Sequence, residues 1–454
     1  MKNKADLVRN STYQITIEKL GKKGEGIGYI DDLPIMVRGT LPGEEIELKI
    51  IKIENSFAVG KCLSIIKKAP VRVDSKCEYS GRCGGCQMLH IDYQEQLKIK
   101  EAKIKEAFSA IKKLKTKKIK PIIPSENIFN YRNKAQFAVG QSGRNVLVGL
   151  FTIGTHNIVD TTACLVQHPK ATELLKIFRD YLAEVRPSIY DEKTRRGLVR
   201  HVLIKTAFST GQSMLTIVIN GKELPKWANL KRKVKEVSGC VSLSININTD
   251  PGDTVLGART ITLWGKESIE ETLAGTNFQI TPNSFFQVNP TQTTKLAEFA
   301  QGYLDIKGDE VVWDAYCGIG LFSLLIAPKV NKVIGVEVNP EAIVYAKRNA
   351  KANKTTNIEF IAGLAEDLFP DLAKKAKPDI VIMDPPRKGC DLKFLGAVIT
   401  AAPKKIIYVS CNPETLARDL EVLINDGYKL VETQPLDMFP HTMHVETICF
   451  LKKG

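Results

Sequence analysis

A cysteine lies where a buried strand is predicted to meet a helix, which is the place where open α/β sheets bind their ligands. The apolar run 406–409 predicts the strand, and Asn412-Pro413 is a turn signal that ends it. Cys411 therefore follows the carboxyl end of the strand, just before a helix predicted over residues 414–424. A thiol near the amino-terminal end of a helix can be tuned toward the nucleophilic thiolate. The alternative is a buried, inert cysteine, which is the commoner state of an unpaired cysteine.

Three further cysteines fall within a short segment in which two glycines separate the last pair, and a fourth follows at a distance. Their positions are Cys77, Cys83, Cys86 and Cys164. Zinc and iron–sulfur clusters both accept four thiolates, so the residue types predict a metal centre. Zinc sites usually present two close Cys-x2-Cys pairs, whereas this set has one, which favours a cluster while spacing alone leaves both open. Two nearby histidines could replace one cysteine: His90 and His168.

A glycine turn follows a second predicted strand, which begins at residue 311. The turn has the form Asp-x-x-x-Gly-x-Gly, from Asp314 to Gly320, and a helix is predicted over 321–327. Glu337 ends the next predicted strand about twenty residues after the turn, a spacing at which an acidic residue meets ribose hydroxyls. A third strand, 379–383, ends at Asp384, so we expect Glu337, Asp384 and Cys411 at one edge of one sheet.

Composition and charge narrow the class of partner. The chain has 454 residues with a formal net charge of +15, and this excess of positive charge favours a polyanion such as nucleic acid. No apolar run reaches the length of a membrane span, and residues 1–10 lack the apolar core of a signal peptide. We therefore expect a cytoplasmic protein, in which the ten cysteines are ligands, nucleophiles or core residues rather than disulfides.

The elements before residue 280 are mainly short strands. Five apolar runs separated by glycine turns over residues 12–69 predict a small closed β-barrel. A lysine-rich segment, 94–120, has apolar residues at helical spacing and predicts one helix. Further strands are predicted at 136–139, 146–151, 199–206 and 214–219, interrupted by one helix over 172–185. These elements predict an α+β middle region.

The motifs together resemble the RNA (uracil-carbon-5) methyltransferases, and most closely the type that makes 5-methyluridine in 23S ribosomal RNA. Residues 19–43 look like a TRAM domain, an RNA-binding barrel of the OB type. The resemblance covers nearly the whole chain and rests on the four cysteines and on Phe285-Phe286-Gln287-Val288-Asn289, the Asp314–Gly320 turn, Asp384-Pro385-Pro386-Arg387, Ser410-Cys411-Asn412-Pro413 and His444-Val445-Glu446-Thr447. In the Asp-Pro-Pro motif, Arg387 replaces the aromatic residue of the amino methyltransferases, which leaves carbon methylation open.

The resemblance implies a multidomain chain with three parts. These are a TRAM OB-like β-barrel over 1–69, an α+β central domain with an iron–sulfur cluster over 70–279, and an α/β Rossmann-like methyltransferase domain over 280–454. It implies that S-adenosylmethionine is bound by Gln287, Tyr316, Glu337 and Asp384. It also implies a [4Fe–4S] cluster held by Cys77, Cys83, Cys86 and Cys164. The expected partner is RNA, with no membrane and no obligate protein partner.

The resemblance also assigns the chemistry, with Cys411 as nucleophile and Glu446 as base. A thiolate that adds to carbon 6 of uracil makes carbon 5 electron-rich enough to take a methyl group. A base must then remove the carbon-5 proton so that the thiolate can leave. Two alternatives remain: the same chemistry on a transfer RNA uridine, and an RNA-binding protein whose methyltransferase fold is vestigial.

Overall fold

The computed structural model describes residues 7–115 and 117–454. Residues 1–6 lie outside the described residues, and so does Thr116 within the predicted lysine-rich helix. Residues 1–6 are the start of the predicted first domain and of the segment 1–10 that lacks a signal-peptide core. The chain forms two compact units. The first comprises Met1–Lys100, Leu150–Val159 and Phe439–Met443, and the second comprises Glu101–Gly149, Asp160–Met438 and His444–Gly454.

The elements are numbered in chain order. The strands are β1 (Thr12–Thr16), β2 (Lys19–Leu20), β3 (Gly26–Ile30), β4 (Leu33–Val37), β5 (Glu45–Ile53), β6 (Ala58–Lys67), β7 (Lys134–Ser142), β8 (Asn145–Phe151), β9 (Ile158–Asp160), β10 (Val199–Thr206), β11 (Ser213–Ile219), β12 (Cys240–Ile247), β13 (Arg259–Gly265), β14 (Ile269–Leu273), β15 (Thr276–Ile280), β16 (Val311–Ala315), β17 (Lys332–Glu337), β18 (Ile358–Ala362), β19 (Ile380–Met383), β20 (Lys405–Ser410), β21 (Tyr428–Leu436) and β22 (Glu446–Lys453). The helices are α1 (Tyr93–Ser109), α2 (Pro169–Val185), α3 (Trp227–Val234), α4 (Pro290–Leu304), α5 (Leu321–Ile326), α6 (Pro340–Ala352), α7 (Ala365–Lys375), α8 (Leu392–Ala401) and α9 (Pro413–Asn425), with a short 3-10 turn at Ala327–Lys329.

The first unit contains a six-stranded sheet in the order β1-β5-β6-β4-β3-β2 around an apolar core that includes Ile17, Ile46 and Leu48. The sequence predicted five of these strands and omitted the two-residue β2. The glycines of β3 permit close backbone packing, since a Cβ on Gly28 would lie 2.4 Å from the carbonyl oxygen of Thr16. Their role is therefore steric.

The middle of the chain forms a second sheet, in the order β13-β12-β11-β10-β7-β8-β9. Strands β7, β8, β10 and β11 match the predicted strands to within a few residues at each end. The prediction of a single helix here was wrong, because α3 follows β11 and buries Leu230 and Val234. The helix has eight residues, too few for a helical period to stand out in the sequence, which explains why it was missed.

The helix predicted over 94–120 exists, but its predicted carboxyl-terminal end was wrong. Helix α1 stops at Ser109, whose hydroxyl donates to the carbonyl oxygen of Glu106 at 2.7 Å. The chain then turns, with the amide of Leu114 donating to the carbonyl of Ile111, and the Leu114 side chain becomes fully buried. Burial of an apolar residue in a turn therefore overrides the helical propensity of the lysine run.

A third sheet has the order β18-β17-β16-β19-β20-β22-β21. Strands β16 to β20 are parallel, and β22 pairs antiparallel with both β20 and β21. The parallel strands are apolar along nearly their whole length, as expected when helices cover both faces of a sheet. The sheet therefore presents its five parallel carboxyl ends at one edge.

A buried ion pair joins the first sheet to the segment that follows it. Glu44 is fully buried and accepts hydrogen bonds from Arg72 Nη2 at 2.8 Å, from Arg72 Nε, and from the amides of Leu41 and Ala69. Burial pushes the pKa of Glu44 upward, but these hydrogen bonds outweigh it and hold the pKa below its ordinary value. The carboxylate therefore stabilises this unit while it is charged.

We expect Glu44→Ala to lower the local unfolding free energy by about 3 kcal/mol at neutral pH, because Arg72 loses its buried partner. The measurement is hydrogen–deuterium exchange of the β5 amides, which reports opening of this region. Because the folded pKa is depressed, the contribution is complete above the ordinary carboxylate pKa and is lost as pH falls through the folded pKa. Glu45→Ala, which removes an exposed pair with Lys67, is the control and should change exchange little. Equal effects of both variants would contradict the assignment.

Candidate active site

The site is built on the edge where the parallel strands end. The strand order runs outward from β16 in two directions, through β17 and β18 on one side and through β19 and β20 on the other. A crevice forms at such a switch point, outside the carboxyl ends of the strands. Glu337 is the last residue of β17, Asp384 directly follows β19, and Cys411 directly follows β20. The expected placement of these residues at one edge therefore matches the topology.

The glycine turn after β16 has a left-handed backbone at three positions. Tyr316 has φ 64°, Gly318 φ 55° and Gly320 φ 87°. The amide of Gly318 donates to Glu337 Oε2 at 3.1 Å, which ties the turn to the end of β17. A Cβ on Gly318 would meet no atom within 4 Å, so the turn borders open space. A ligand can therefore approach the backbone closely here.

Asp314, inside β16, is a structural support for this turn. Its Oδ2 accepts from the amide of Ser323 at 2.8 Å and from the Ser323 hydroxyl at 2.6 Å, which fixes the start of α5. Burial raises the pKa of Asp314 to about 7, although the bonds from Ser323 oppose the shift. Its other oxygen, Oδ1, has no hydrogen-bond partner among the described residues.

Gln287 and Asp384 meet at the same edge. Gln287 Nε2 donates to Asp384 Oδ2 at 3.2 Å, and the backbone of Gln287 is held in turn by Asn133, whose Nδ2 donates to its carbonyl at 2.9 Å. Desolvation of the carboxyl raises the pKa of Asp384, and the nearby Asp314 carboxyl raises it further. Asp384 as a residue is partly exposed, while its carboxyl is strongly desolvated.

Strand pairing brings Cys411 and Glu446 together. In the antiparallel ladder between β20 and β22, Ser410 is paired with Thr447. The next residue on each strand is Cys411 and Glu446, so these two continue the same alignment, and paired side chains of a ladder share one face. Glu446 is 2% exposed, with Val445 and Ile448 fully buried beside it.

Neighbouring charges shift the pKa of the Cys411 thiol in opposite directions. Desolvation raises the pKa of Cys411 to about 11, with Glu446 adding to the rise and the guanidinium of Arg387 lowering it. Desolvation also raises the pKa of Glu446 well above its ordinary value, and Asp384 raises it further. Protonation of either carboxyl therefore makes ionisation of the thiol easier, because the negative charges of Glu446 and Asp384 both raise the pKa of Cys411.

The loop that carries Arg387 is fastened to the start of α9. Asn412 Nδ2 and Thr415 Oγ1 donate to the carbonyl oxygen of Arg387 at 3.0 and 3.2 Å. Asn412 also caps α9, and Pro413 occupies its first turn, so the helix begins two residues after Cys411. The Arg387 side chain lies 3.3 Å from His444 Nε2. The same helix start therefore fixes the backbone beside Cys411 and the loop that carries Arg387.

One exposed aromatic residue was not singled out individually from the sequence. Phe285, two residues before Gln287, is 67% exposed, whereas its neighbour Phe286 is buried. An exposed phenyl ring beside a crevice can stack on an unpaired base. The signal in the sequence is the doubled phenylalanine, but nothing in the pattern says which ring faces outward.

The four cysteines of the predicted metal centre are divided between the units. Cys77, Cys83 and Cys86 belong to one loop of the first unit, and Cys164 belongs to the second. All ten cysteines lie in the described part of the chain, and none forms a disulfide. Burial raises the pKa of Cys83, and the Cys77 thiol adds to the rise. Within residues 7–115 and 117–454, no group of three or more His, Cys, Asp or Glu side chains is arranged to hold a metal ion.

The histidine considered as a replacement ligand in the second unit has another role. His168 is the N-cap of α2, and its Nδ1 accepts from the amide of Lys170 at 3.2 Å. Its ring also packs edge-on against Phe208. A helix-capping role accounts for this histidine.

No helix in the described ranges, 7–115 and 117–454, combines the length and the apolar character needed to cross a membrane.

Comparison with known proteins agrees with this geometry. The family model described as tRNA (Uracil-5-)-methyltransferase matches residues 92–454, and the TRAM domain model matches residues 7–63. An RNA methyltransferase of Clostridium tetani is 45% identical over 99% of this chain and 98% of its own length. One from Caldanaerobacter subterraneus subsp. tengcongensis is 42% identical over 97% of this chain and 98% of its own.

A solved structure resembles the whole chain. It is the tRNA (uracil-54, C5)-methyltransferase of Pyrococcus abyssi in complex with S-adenosyl-L-homocysteine, with 28% identity and a TM-score of 0.77 over 97% of this chain and 100% of that one. The family model covers well over half of the chain, and the relatives match it almost from end to end. The chain therefore belongs to the tRNA (uracil-5-)-methyltransferase family, carries a TRAM domain, and is an RNA methyltransferase.

Proposed function

We propose that the protein methylates carbon 5 of a uridine in 23S ribosomal RNA, with S-adenosylmethionine as methyl donor and Cys411 as covalent nucleophile. The observation that carries this proposal is the alignment of Cys411 with Glu446 at the end of the β20–β22 ladder. A thiol and a proton-binding carboxyl side by side at a ligand crevice are what addition to carbon 6 and removal of the carbon-5 proton require.

The crevice residues fit the proposed cofactor. A ligand can lie directly against the backbone of the glycine turn, because no atom is near Gly318 on its open side. Glu337 bonds to this turn from the end of β17, the position at which folds of this type bind ribose hydroxyls. Gln287 and Asp384 offer an amide and a carboxyl from the other side of the crevice, and Tyr316 completes the set that we propose as the binding site. When bound, S-adenosylmethionine supplies an electrophilic methyl group.

Addition to the base requires Cys411 to lose its proton. The positive charge of Arg387 and the amino-terminal end of α9 favour the thiolate, whereas the Glu446 and Asp384 carboxylates oppose it. The thiolate forms a bond to carbon 6, and the electron pair of the carbon 5–carbon 6 double bond moves into an enolate. Carbon 5 would take the methyl group as the methyl–sulfur bond of the sulfonium donor breaks, which leaves the thioether S-adenosylhomocysteine. Glu446 then accepts the carbon-5 proton, and the electrons of that carbon–hydrogen bond restore the carbon 5–carbon 6 double bond as the carbon–sulfur bond to Cys411 breaks and returns the thiolate.

The raised pKa of Glu446 suits its proposed role. A desolvated carboxylate holds a proton strongly, so once ionised it is a stronger base than an exposed glutamate.

The exposed ring of Phe285 provides a surface for stacking of the target base, which has to be unpaired or flipped to reach the crevice.

We further propose that Cys77, Cys83, Cys86 and Cys164 hold a [4Fe–4S] cluster. The donor set fits, because four thiols are the ligands such clusters use, and the amide of Gly85 lies 3.3 Å from Cys83 Sγ, a bond that stabilises a ligating thiolate. The proposed reaction needs no electron, so the cluster's role would be structural. This proposal goes together with domain boundaries at 69 and 279 and with a cytoplasmic, reducing location.

Ribosomal RNA is proposed because the cysteine set and the TRAM domain together resemble the ribosomal enzymes. One observation favours a second candidate, a transfer RNA uridine, since the Pyrococcus abyssi neighbour is a tRNA (uracil-54, C5)-methyltransferase. The +15 net charge suits either polyanion and does not discriminate between them.

We expect Cys411→Ala to abolish methylation and to give no covalent RNA adduct, because the first bond is never made. Glu446→Gln still permits attack and methyl transfer but removes the base, so the methylated adduct should accumulate. The measurement is a denaturant-resistant protein–RNA band that requires S-adenosylmethionine. Normal turnover by Glu446→Gln, or a band with Cys411→Ala, would refute the assigned roles.

We expect protein purified without oxygen to be brown and to contain iron and sulfide, at about four of each per chain. Cys86→Ser should lose iron, whereas Cys62→Ser, at a partly buried thiol outside the proposed ligand set, should keep it. Stoichiometric zinc without iron in the wild-type protein would contradict the cluster.

We expect 5-methyluridine to appear in deproteinised 23S ribosomal RNA, and not in transfer RNA, when each is incubated with the protein and S-adenosylmethionine. Mass spectrometry of nuclease fragments locates the methyl group. Cys411→Ala serves as the negative control on both substrates. Methylation confined to transfer RNA would replace the first candidate with the second.

A further inference from the structure

The loop between β19 and α8 carries Arg387, and two adjacent charged residues of α9 hold this loop. They are Arg418 and Asp419. Asp419 has no exposed surface, whereas the Arg418 side chain is 50% exposed. Both residues, the loop and Cys411 belong to the second unit, so the contacts among them lie within one compact unit.

Asp419 joins the strand before Cys411 to the loop. Its Oδ2 accepts from the Tyr408 hydroxyl at 2.5 Å and from the amide of Cys390 at 2.7 Å. Tyr408 lies in β20, and Cys390 lies in the loop. The other oxygen, Oδ1, accepts from Arg418 Nε at 2.8 Å. Hydrogen bonds to an ionised group are stronger than neutral ones, so this buried carboxylate fixes its three partners.

Arg418 bonds to the loop closer to Arg387. Its Nη2 donates to the carbonyl oxygens of Lys388 at 3.0 Å and of Cys390 at 3.2 Å. The same nitrogen lies 2.7 Å from Asp419 Oδ1. A guanidinium presents its donors in a rigid planar fork, so the bonds to the carboxylate orient it toward the loop. Arg418 therefore holds the peptide unit directly after Arg387.

The loop backbone lies directly against this charged pair. Gly389 has φ 77°, and a Cβ there would lie 2.6 Å from both Arg418 Nη2 and Asp419 Oδ2. The amide of Gly389 donates to the carbonyl of Pro386 at 2.8 Å, which closes a turn around Arg387. The close approach and the left-handed backbone both require glycine, so the pair and the turn fit each other.

The Arg387 side chain links the loop to the nucleophile. Desolvation raises the pKa of the Cys411 thiol, the Glu446 and Asp384 carboxyls add to the rise, and the Arg387 guanidinium, a hydrogen-bond partner of the thiol, lowers it. The guanidinium also lies 3.3 Å from His444 Nε2. Coulomb energy depends on distance, so the position of the loop determines how strongly Arg387 favours the thiolate.

We propose that Arg418, oriented by Asp419, is a positioning residue that keeps the Arg387 guanidinium beside the Cys411 thiol. It acts through the backbone of Lys388, the neighbour of Arg387 in the loop. The thiolate is the nucleophilic form of a cysteine, so a displaced guanidinium lowers the fraction of enzyme ready to attack. The inference rests on the proposed function, because it takes Cys411 as the nucleophile.

The test is the rate at which iodoacetamide alkylates Cys411, followed by mass spectrometry of the peptide that contains it. Arg418→Met, Arg387→Met and the double variant are compared with wild type. We expect Arg418→Met to slow alkylation about fivefold and Arg387→Met about tenfold near neutral pH, with both pH profiles moved to higher pH, because one unit of thiol pKa changes the thiolate fraction about tenfold. The double variant should react no more slowly than Arg387→Met, since residues that act through one another are not additive.

Arg348→Met is the matched control. Arg348 is 51% exposed and lies 3.5 Å from Glu267 on the surface, so its loss removes a similar side chain without touching the loop. It should alkylate at the wild-type rate. Unfolding gives the opposite sign, because it exposes the Cys411 thiol and speeds its alkylation, and it also makes the fully buried Cys449 reactive.

The two hypotheses fail separately. A wild-type alkylation rate in Arg418→Met or in Arg387→Met, or a double variant slower than Arg387→Met by the full Arg418→Met factor, overturns the positioning role and leaves the proposed function standing. Wild-type protein that methylates no uridine overturns the proposed function instead. If Arg418→Met does not fold, Arg418→Lys, which keeps the charge but lacks the fork, enters the same assay. Slower alkylation in that variant supports the inference, and the wild-type rate overturns it.

Discussion

The antiparallel pairing of β22 with β20 is the constraint on which the candidate site depends. A parallel α/β sheet brings its strand ends to one edge, but residues near the carboxyl terminus of the chain reach that edge only if a strand runs back against the sheet. Strand β22 does so, and the pairing of Ser410 with Thr447 fixes its register. A shift by one residue would turn Glu446 to the opposite face, because side chains alternate along a strand. The rest of the site is arranged around that register.

Burial raises the pKa values of the carboxyl groups in the candidate site. Asp384 lies close enough to Asp314 and to Glu446 for their charges to interact, and desolvation raises the pKa of each of the three carboxyls. Each also makes ionisation of a neighbour harder, so the group can hold protons that exposed carboxyls would release near neutral pH. The cation that offsets them at Cys411 is Arg387, on a loop fastened to the cap of α9 by Asn412 and Thr415. The scaffold therefore sets the proton balance as well as the geometry.

The sequence predicted what depends on local pattern. The strands that end at Glu337, Asp384 and Cys411 are apolar runs with clear stops, and the parallel arrangement follows from their alternation with helices. The end of α1 was wrong because lysines continue a helical pattern that burial of Leu114 interrupts. The burial of Glu446 and the outward orientation of Phe285 depend on tertiary packing, which no short window of sequence contains. Gln96 and His441 are hydrogen-bonded although they are 345 residues apart, so a short window of sequence cannot contain both.

Left-handed backbone conformations occur at two non-glycine residues near the elements that carry the candidate site, one in each unit. Tyr316 in the glycine turn and His441 before β22 both have a left-handed conformation that their side chains disfavour. Each is fixed by contacts with distant parts of the chain: an amide one residue from Tyr316 bonds to Val336, and His441 bonds to Gln87, Met88 and Gln96. Glycine at either position would remove the strain but would also enlarge the set of conformations available to the loop. A strained residue held by several bonds has one conformation, which is the property a loop needs when the groups beside it must stay within hydrogen-bond reach of a substrate.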